Sequence, residues 1–348
     1  MATTTTPASH GREDPTFRNY SAAAAQTYLK NRRGYSENII NLVIDQHKST
    51  GGYFDILLDV GCGPGQATRA LAPHFEHVIG ADPGQSMIET AKGVEGLTKS
   101  GESITYEVSG AENLSNLSAL KEYSSQGQEC VDLITAATAA HWFDMPRFWA
   151  QCAKILKPGG SVIIWAGSGY TCNPNTTPNA ARLHDFLTKF ETEILQPYEL
   201  PGNRLTREFY VDLGMPWEIL AKDSDTSTST STPLDEQTRT ALQSFPESQY
   251  KRHEFNRDGY VSPGQHFFSG ERRATFEQIK ATLGTASPVT RWREAHREQV
   301  EKGEVEDIMD MLVRRMGEIM GEVDEGKGRD WIDSGGGLVV LVVKKMGK

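Results

Sequence analysis

The chain of 348 residues is long enough for one large domain, or for a domain carrying a substantial insertion. Its 46 acidic residues outnumber 36 basic ones, leaving a formal charge of -10, and no run of Lys and Arg exceeds three. That balance counts against a nucleic-acid partner, whose affinity comes from clustered cations. Cys62, Cys130, Cys152 and Cys172 stand far apart with no metal-ligand spacing, and no apolar run approaches the ~20 residues needed to span a bilayer. The sequence therefore predicts a reduced, cytoplasmic protein with no metal site and no membrane partner.

Residues 1–16 are rich in Thr, Pro and charge, lack the apolar core of a secretory signal, and are expected to form a disordered tail. Aromatic, Ala and Leu residues then take over, and 17–50 is expected to be a helical cap. A core follows over 51–169. ILLDV (56–60) reads as a strand ended by glycine, QATRALAPH (66–74) as a helix until Pro73, HVIGAD (77–82) as a second strand and SMIETAKGV (86–94) as a second helix. ITYEVSG (104–110) and VDLITAATAA (131–140) hold a third and a fourth strand. FDMPRFWAQCAKILKPGG (143–160) is a helix closed by Pro-Gly-Gly, and SVIIWAG (161–167) is a fifth strand. Alternation of this kind predicts a parallel sheet with helical crossovers.

Regularity is lost over 170–330, which is expected to supply a substrate lid and remaining core elements. RLHDFLTKFETEIL (182–195), ATFEQIKATL (274–283) and VEDIMDMLVRRMGEIM (305–320) have helical spacing, whereas DSDTSTSTSTP (223–233) is low-complexity and expected to be mobile. In 331–348 the stretch GLVVLVVKK (337–345) is too apolar and β-branched for an exposed tail, so a last strand completing the sheet is expected.

Between the first strand and its helix lies GCGPG. Glycine there permits a tight turn at Gly61, removes a side chain from the ligand's path at Gly63 and lets the helix start close to the sheet at Gly65, so that backbone amides could approach a polar ligand. A P-loop would need Lys-Ser/Thr where Gln66-Ala67 stands, and a dinucleotide site would need GxGxxG rather than GxGxG with Pro64. Asp82 ends the second strand 21 positions after Gly61, placed to hold two ribose hydroxyls through charge-assisted hydrogen bonds. A nucleoside ligand is expected.

DVGCGPG (59–65), the acid at 82, SGAENL (109–114), DLITAATAAHWF (132–143) and LKPGGSVIIW (156–165) resemble, in order, the signature blocks of class I S-adenosylmethionine-dependent methyltransferases. AAHWFD and LPGNRL further resemble the fungal trans-aconitate 3-methyltransferase branch. The resemblance implies a Rossmann-like, mostly parallel seven-stranded sheet with an antiparallel last strand and an inserted lid. It implies S-adenosylmethionine as cofactor and S-adenosylhomocysteine as product, a small-molecule acceptor, and a monomer or homodimer. Carried over by position, Asp59, Gly61, Gly63 and Gly65 would shape the turn beneath the cofactor and Asp82 would take the ribose. Met87, Ala111 and Glu112 would lie near adenine, Thr135 and Ala136 near the methionine ammonium, and Tyr20, Arg33 and Tyr35 would close over cofactor and substrate.

Transfer from a sulfonium is an in-line displacement that asks mainly for alignment and exclusion of water. His141 is the titratable ring just after the fourth strand, a candidate base or orienting donor, with Trp142 as a pocket wall. A tricarboxylate acceptor would need arginines, for which Arg204 and Arg207 are the first candidates, with Arg18, Arg33 and Arg291 behind them. ATLGTASPVTRW (281–292) departs from the branch pattern, keeping only Trp292. The aromatic residues Trp165, Tyr170, Phe186, Phe209, Tyr210 and Trp217 could instead enclose a larger apolar metabolite, methylated at O, N or S. A catalytically silent nucleoside-binding regulator is a further alternative, and nicotinamide-dependent reduction is disfavoured by Pro64.

Overall fold

The computed structural model describes residues 21–31, 34–124, 126–224 and 233–347. A helix α1 (Ala22–Asn31) and a second helix α2 (Glu37–Ser49), capped by Ser36, precede the alternating core. The core runs β1 (Ile56–Val60), α3 (Gln66–Leu71), β2 (His77–Asp82), α4 (Gln85–Lys92), β3 (Thr105–Val108), β4 (Val131–Ala137), α5 (Met145–Ile155) and β5 (Leu156–Cys172). Helices α6 (Ala180–Lys189), α7 (Pro201–Arg207), α8 (Pro216–Ser224) and α9 (Glu236–Gln243) come next, then β6 (Tyr250–Phe255) and β7 (Arg272–Thr275). The chain closes with α10 (Phe276–Leu283), α11 (Ser287–Glu301), α12 (Ile308–Gly321) and β8 (Trp331–Lys344).

The sheet order is β3-β2-β1-β4-β5-β8-β6, with β7 pairing β8 off this path. The first five strands are parallel, and β8 is antiparallel to β5, β6 and β7. The expected Rossmann-like architecture is therefore present, but among the described residues the sheet has eight strands rather than seven. β6 escaped a reading by hydrophobicity because it lies at the sheet edge. YKRHEF keeps Lys251 and Glu254 exposed, and such charges guard an unpaired rim.

Side-chain alternation divides the core. Leu58, Ile134, Ile164 and Leu341 point to the face covered by Phe148, Trp149 and Cys152 of α5 and by Leu242 of α9. Their neighbours Leu57, Leu133, Ile163 and Val340 point to the other face, against Ile39 and Val43 of α2 and Leu71 of α3. Burial on both sides explains why β1 reads as a mainly apolar run and residues 338–343 of β8 as a wholly apolar one. A second cluster packs α6, α10, α11 and α12 around Cys172, Ala274 and Ile332, where β5, β7 and β8 extend beyond the main sheet.

Several boundaries moved. The helix expected to close at the Pro158-Gly159-Gly160 turn stops at Ile155, because Leu156 already pairs with Val131. β5 spans Leu156–Cys172 rather than 161–167, and the helix expected from Ala274 starts at Phe276 because Ala274 and Thr275 belong to β7. The last strand begins at Trp331 rather than 337. Gly335, Gly336 and Gly337 lie inside it, where added Cβ atoms would come within 2.2 Å of Phe267, 2.3 Å of the Gly169 carbonyl and 2.4 Å of Phe209. These glycines serve close packing, not a turn. Among the described residues no helix is long and apolar enough to cross a membrane.

Candidate functional site

Strand order reverses between β1 and β4, and the crevice beyond their carboxyl ends is where an open α/β sheet takes ligands. A cavity of about 520 Å³ opens there. That size lies within the range of roughly 300–1,000 Å³ for small-molecule sites.

Gly61, Gly63 and Gly65 have φ of 66°, 52° and 80°, all left-handed. A Cβ on Gly61 would lie 2.5 Å from that of Ala139 and one on Gly65 would lie 2.4 Å from the Tyr106 hydroxyl, whereas one on Gly63 would meet nothing within 4 Å. Gly63 is thus bare toward the cavity it lines. The loop's amides are occupied internally. Gly61 and Cys62 donate to the Ala81 carbonyl at 2.7 and 3.0 Å, Gly65 to the Cys62 carbonyl at 3.0 Å, and Gly63 to Asp82 Oδ2 at 2.9 Å. This corrects the expectation that these amides reach a ligand; the glycines supply room, and the donors a pyrophosphate would need are already engaged.

Asp82 lines the cavity, accepting from Gly63 through Oδ2 and from Gly84 through Oδ1 at 2.8 Å. A carboxylate can accept about four hydrogen bonds, so an acid placed here on the cavity wall is of the type that takes sugar hydroxyls. Met87, Ala111 and Glu112 continue this wall, and Glu112 is fixed by accepting the Asp144 amide at 2.9 Å. These groups suit an adenosyl moiety: open backbone for the chain of the ligand, a carboxylate for its sugar and apolar side chains for its ring.

Three carried-over positions lie elsewhere. Asp59 is buried below the loop, accepting hydroxyls from Thr68 at 2.6 Å and Thr135 at 2.7 Å. Burial pushes its carboxyl up to about 6, against those two hydrogen bonds. Thr135 and Ala136 are buried within β4 and, like Asp59, do not line the cavity. Thr138 and Ala139 do, three positions further on. Thr138 turns into the left-handed region at φ 54°, with its amide donating to the Trp165 carbonyl at 2.7 Å.

His141, Trp142, Tyr35 and Arg207 line the same cavity. His141 Nδ1 lies 2.7 Å from the hydroxyl of buried Tyr210. Trp142 packs so closely on α7 that a Cβ at Gly202 would fall 2.4 Å from its ring, and Tyr35 meets Trp165 edge-on at 5.4 Å. The arginine expectation is only half met. Arg207 faces the cavity but is paired with Glu199, while Arg204 is exposed, salt-bridged to Glu208 at 2.7 Å and off the lining. Trp292 is also off the lining, buried and stacked on His296 at 4.2 Å, and Arg291 donates to the Tyr198 carbonyl and Asn203 Oδ1 at 2.6 Å each. Tyr20, Arg33 and Arg18 fall outside the described residues. Of the six aromatic lid candidates only Tyr170 lines the cavity.

Sequence reasoning missed Glu191 and Glu199, both in the lining. Glu191 sits on a π turn, Phe190–Ile194, that continues α6, with the Leu195 amide donating to the Phe190 carbonyl at 3.0 Å. Such a turn shifts the face a residue presents, which helical periodicity cannot foresee. Burial pushes the Glu191 carboxyl up to about 7; the Tyr170 amide and Arg207 act against this, and Glu199 adds to it.

Residues 58–164 match the methyltransferase domain family. A Dictyostelium discoideum protein assigned as a methyltransferase is 32% identical over 194 residues, covering 56% of this chain and 65% of that protein. A Saccharomyces cerevisiae protein assigned as an S-adenosylmethionine-dependent methyltransferase is 30% identical over 138 residues, 40% of this chain and 43% of its own length. The aligned stretch thus spans less than two thirds of either relative. A solved structure from Anaeromyxobacter dehalogenans, assigned as a type II methyltransferase, shares the fold with a TM-score of 0.52 at 18% identity, over 91% of this chain and 97% of that one. S-adenosylmethionine, the cofactor expected from the sequence, is the one named for the Saccharomyces cerevisiae relative. Over residues 58–164, less than half of its length, the chain is therefore similar to a methyltransferase domain.

Proposed function

We propose that the protein transfers the cofactor's methyl group to a small-molecule acceptor held in this cavity. The observation that carries the reading is the joining of the glycine loop, Asp82 and the Met87–Ala111 wall to the apolar groups Tyr35, Trp142 and Phe190 in one cavity. Bound there, the cofactor supplies an electrophilic methyl carbon and a thioether leaving group. Asp82 would hold the ribose, Gly63 would let the ligand pass, Met87 and Ala111 would cover adenine, and Thr138 and Ala139 would flank the methionine end. His141, its ring anchored by Tyr210, would orient the acceptor atom.

A carboxylate acceptor such as trans-aconitate is the finer expectation from sequence, and the arginine geometry gives it little support, since Arg204 turns to Glu208 and Arg207 to Glu199. The departing segment 281–292 contributes Thr282, Leu283, Ala286 and Val289 to the cavity, so the divergence lies where the acceptor would be chosen. Methylation of a largely apolar metabolite at O, N or S is the acceptor reading favoured here.

Incubation with methyl-labelled S-adenosylmethionine and a panel of phenols, amines, thiols and carboxylic acids tests the activity, with labelled product expected. Asp82→Ala is expected to weaken S-adenosylhomocysteine binding by about 1–3 kcal/mol in calorimetry through loss of charged hydrogen bonds. His141→Ala should lower turnover while keeping cofactor affinity. Binding of the product with no labelled acceptor at all would favour the silent regulator instead.

A further inference from the structure

The wall built by the end of β5, the π turn and the segment leading through α7 gathers the ionisable groups that the cofactor site does not use. Glu191, Glu199 and Arg207 all line the cavity. Glu199 is closed onto Arg207, which therefore has a carboxylate partner before any ligand enters. Glu191 accepts the Tyr170 amide at 3.1 Å, and this is its one hydrogen bond among the described residues. A carboxylate can accept about four, so most of its capacity is unfilled. The other lining residues nearest it in sequence, Leu187, Phe190 and Leu195, are apolar and offer it no hydrogen bond.

The charge balance decides what can complete this wall. Two carboxylates face one guanidinium. A ligand carboxylate would bring like charge into a partly desolvated space in which, among the described residues of this wall, Arg207 is the one cation and is already paired with Glu199, whereas a hydroxyl or amino group would supply a donor to Glu191. The apolar neighbours call for an apolar body around that group.

We propose that Glu191 is a substrate-binding residue that receives a hydrogen bond from the acceptor, and that the acceptor is a hydroxyl- or amino-bearing molecule of mainly apolar body, not a carboxylic acid. This rests on the methyl-transfer reading above. Glu191 sets which acceptor binds, while Asp82 and the glycine loop hold the cofactor, so the two roles separate experimentally.

The test is labelled methyl transfer by the full chain to apolar phenols, alcohols and amines and to di- and tricarboxylates, with S-adenosylhomocysteine affinity measured in parallel. Transfer to members of the first group is expected. In Glu191→Gln, KM for those acceptors should rise roughly 10- to 100-fold, as for a lost charge-assisted bond, with the S-adenosylhomocysteine affinity unchanged. Glu191→Asp keeps the charge but shortens its reach, should show a smaller KM rise, and serves if the Gln variant does not fold. Transfer confined to di- and tricarboxylates overturns the proposal, as does an unaltered KM in the variant that folds, or S-adenosylhomocysteine binding with no transfer to any hydroxyl or amino acceptor. Failure of the wild type to bind S-adenosylhomocysteine would instead sink the methyl-transfer reading beneath it.

Discussion

Asp59 is fully buried and Glu191 half-buried, for different ends. Asp59 is tied by two threonine hydroxyls beneath the loop, and Glu191 accepts one backbone amide at the cavity wall. Burial raises both, Asp59 from 3.8 to about 6 and Glu191 from 4.5 to about 7. A raised acid binds its proton in the folded state where the unfolded chain has already released it, so each group lowers stability as pH climbs from its unfolded value through its folded one. Gln cannot ionise. Glu191→Gln should therefore match the wild type near about pH 4 and become the more stable of the two by on the order of 2–3 kcal/mol above about pH 7. Denaturant midpoints across that window check it, and a difference that does not grow with pH would show that Glu191 titrates normally. Neither the place of Glu191 on the cavity nor its weakened acidity was legible in FETEI, because the π turn, not the residue spacing, brings that carboxylate into the cavity.

At the scale of elements, the glycine loop divides its work between folding and binding. Gly63 and Gly65 both lie at positive φ, where an alanine costs on the order of 1–2 kcal/mol. At Gly65 the new methyl also meets Tyr106 and Arg69, while at Gly63 it projects into open cavity. Gly65→Ala is expected to lower the melting temperature further than Gly63→Ala does, whereas Gly63→Ala should lose more S-adenosylhomocysteine affinity for the stability it gives up. Equal loss of affinity in both would mean that the ligand does not pass over Gly63. β1 and β2 were readable to the residue, since the short, mainly apolar runs ILLDV and HVIGAD are closed by Gly61 and by Pro83-Gly84. Thr135 stood in for Thr138 because the sequence shows where β4 is apolar but not where its last residues stop being covered. The start of β8 was hidden by Gly335–Gly337, which sequence reads as punctuation and the fold uses to let Phe267 and Phe209 approach.

Over the whole molecule, β8 joins the parts, pairing with β5, β6 and β7 along its 14 residues. The cavity takes Gly63 and Asp82 from the early core, Glu191 and Arg207 from the middle of the chain, and Gly335–Gly337 from its last strand. The matched methyltransferase domain ends at residue 164. The cavity wall of Gly63, Asp82, Met87 and Ala111 was consequently legible from short, ordered blocks, and the wall beyond it was not, because it is assembled by tertiary packing from segments with no common motif. The central claim is that this cavity holds an adenosyl ligand against Asp82. A crystal structure of the complex with S-adenosylhomocysteine tests it most directly: the ribose hydroxyls should lie within hydrogen-bonding distance of Asp82, with the ligand crossing Gly63 and its sulfur toward the His141 and Trp142 wall. Ligand density at another place on the molecule, or in the cavity with Asp82 making no contact to the sugar, would contradict the account.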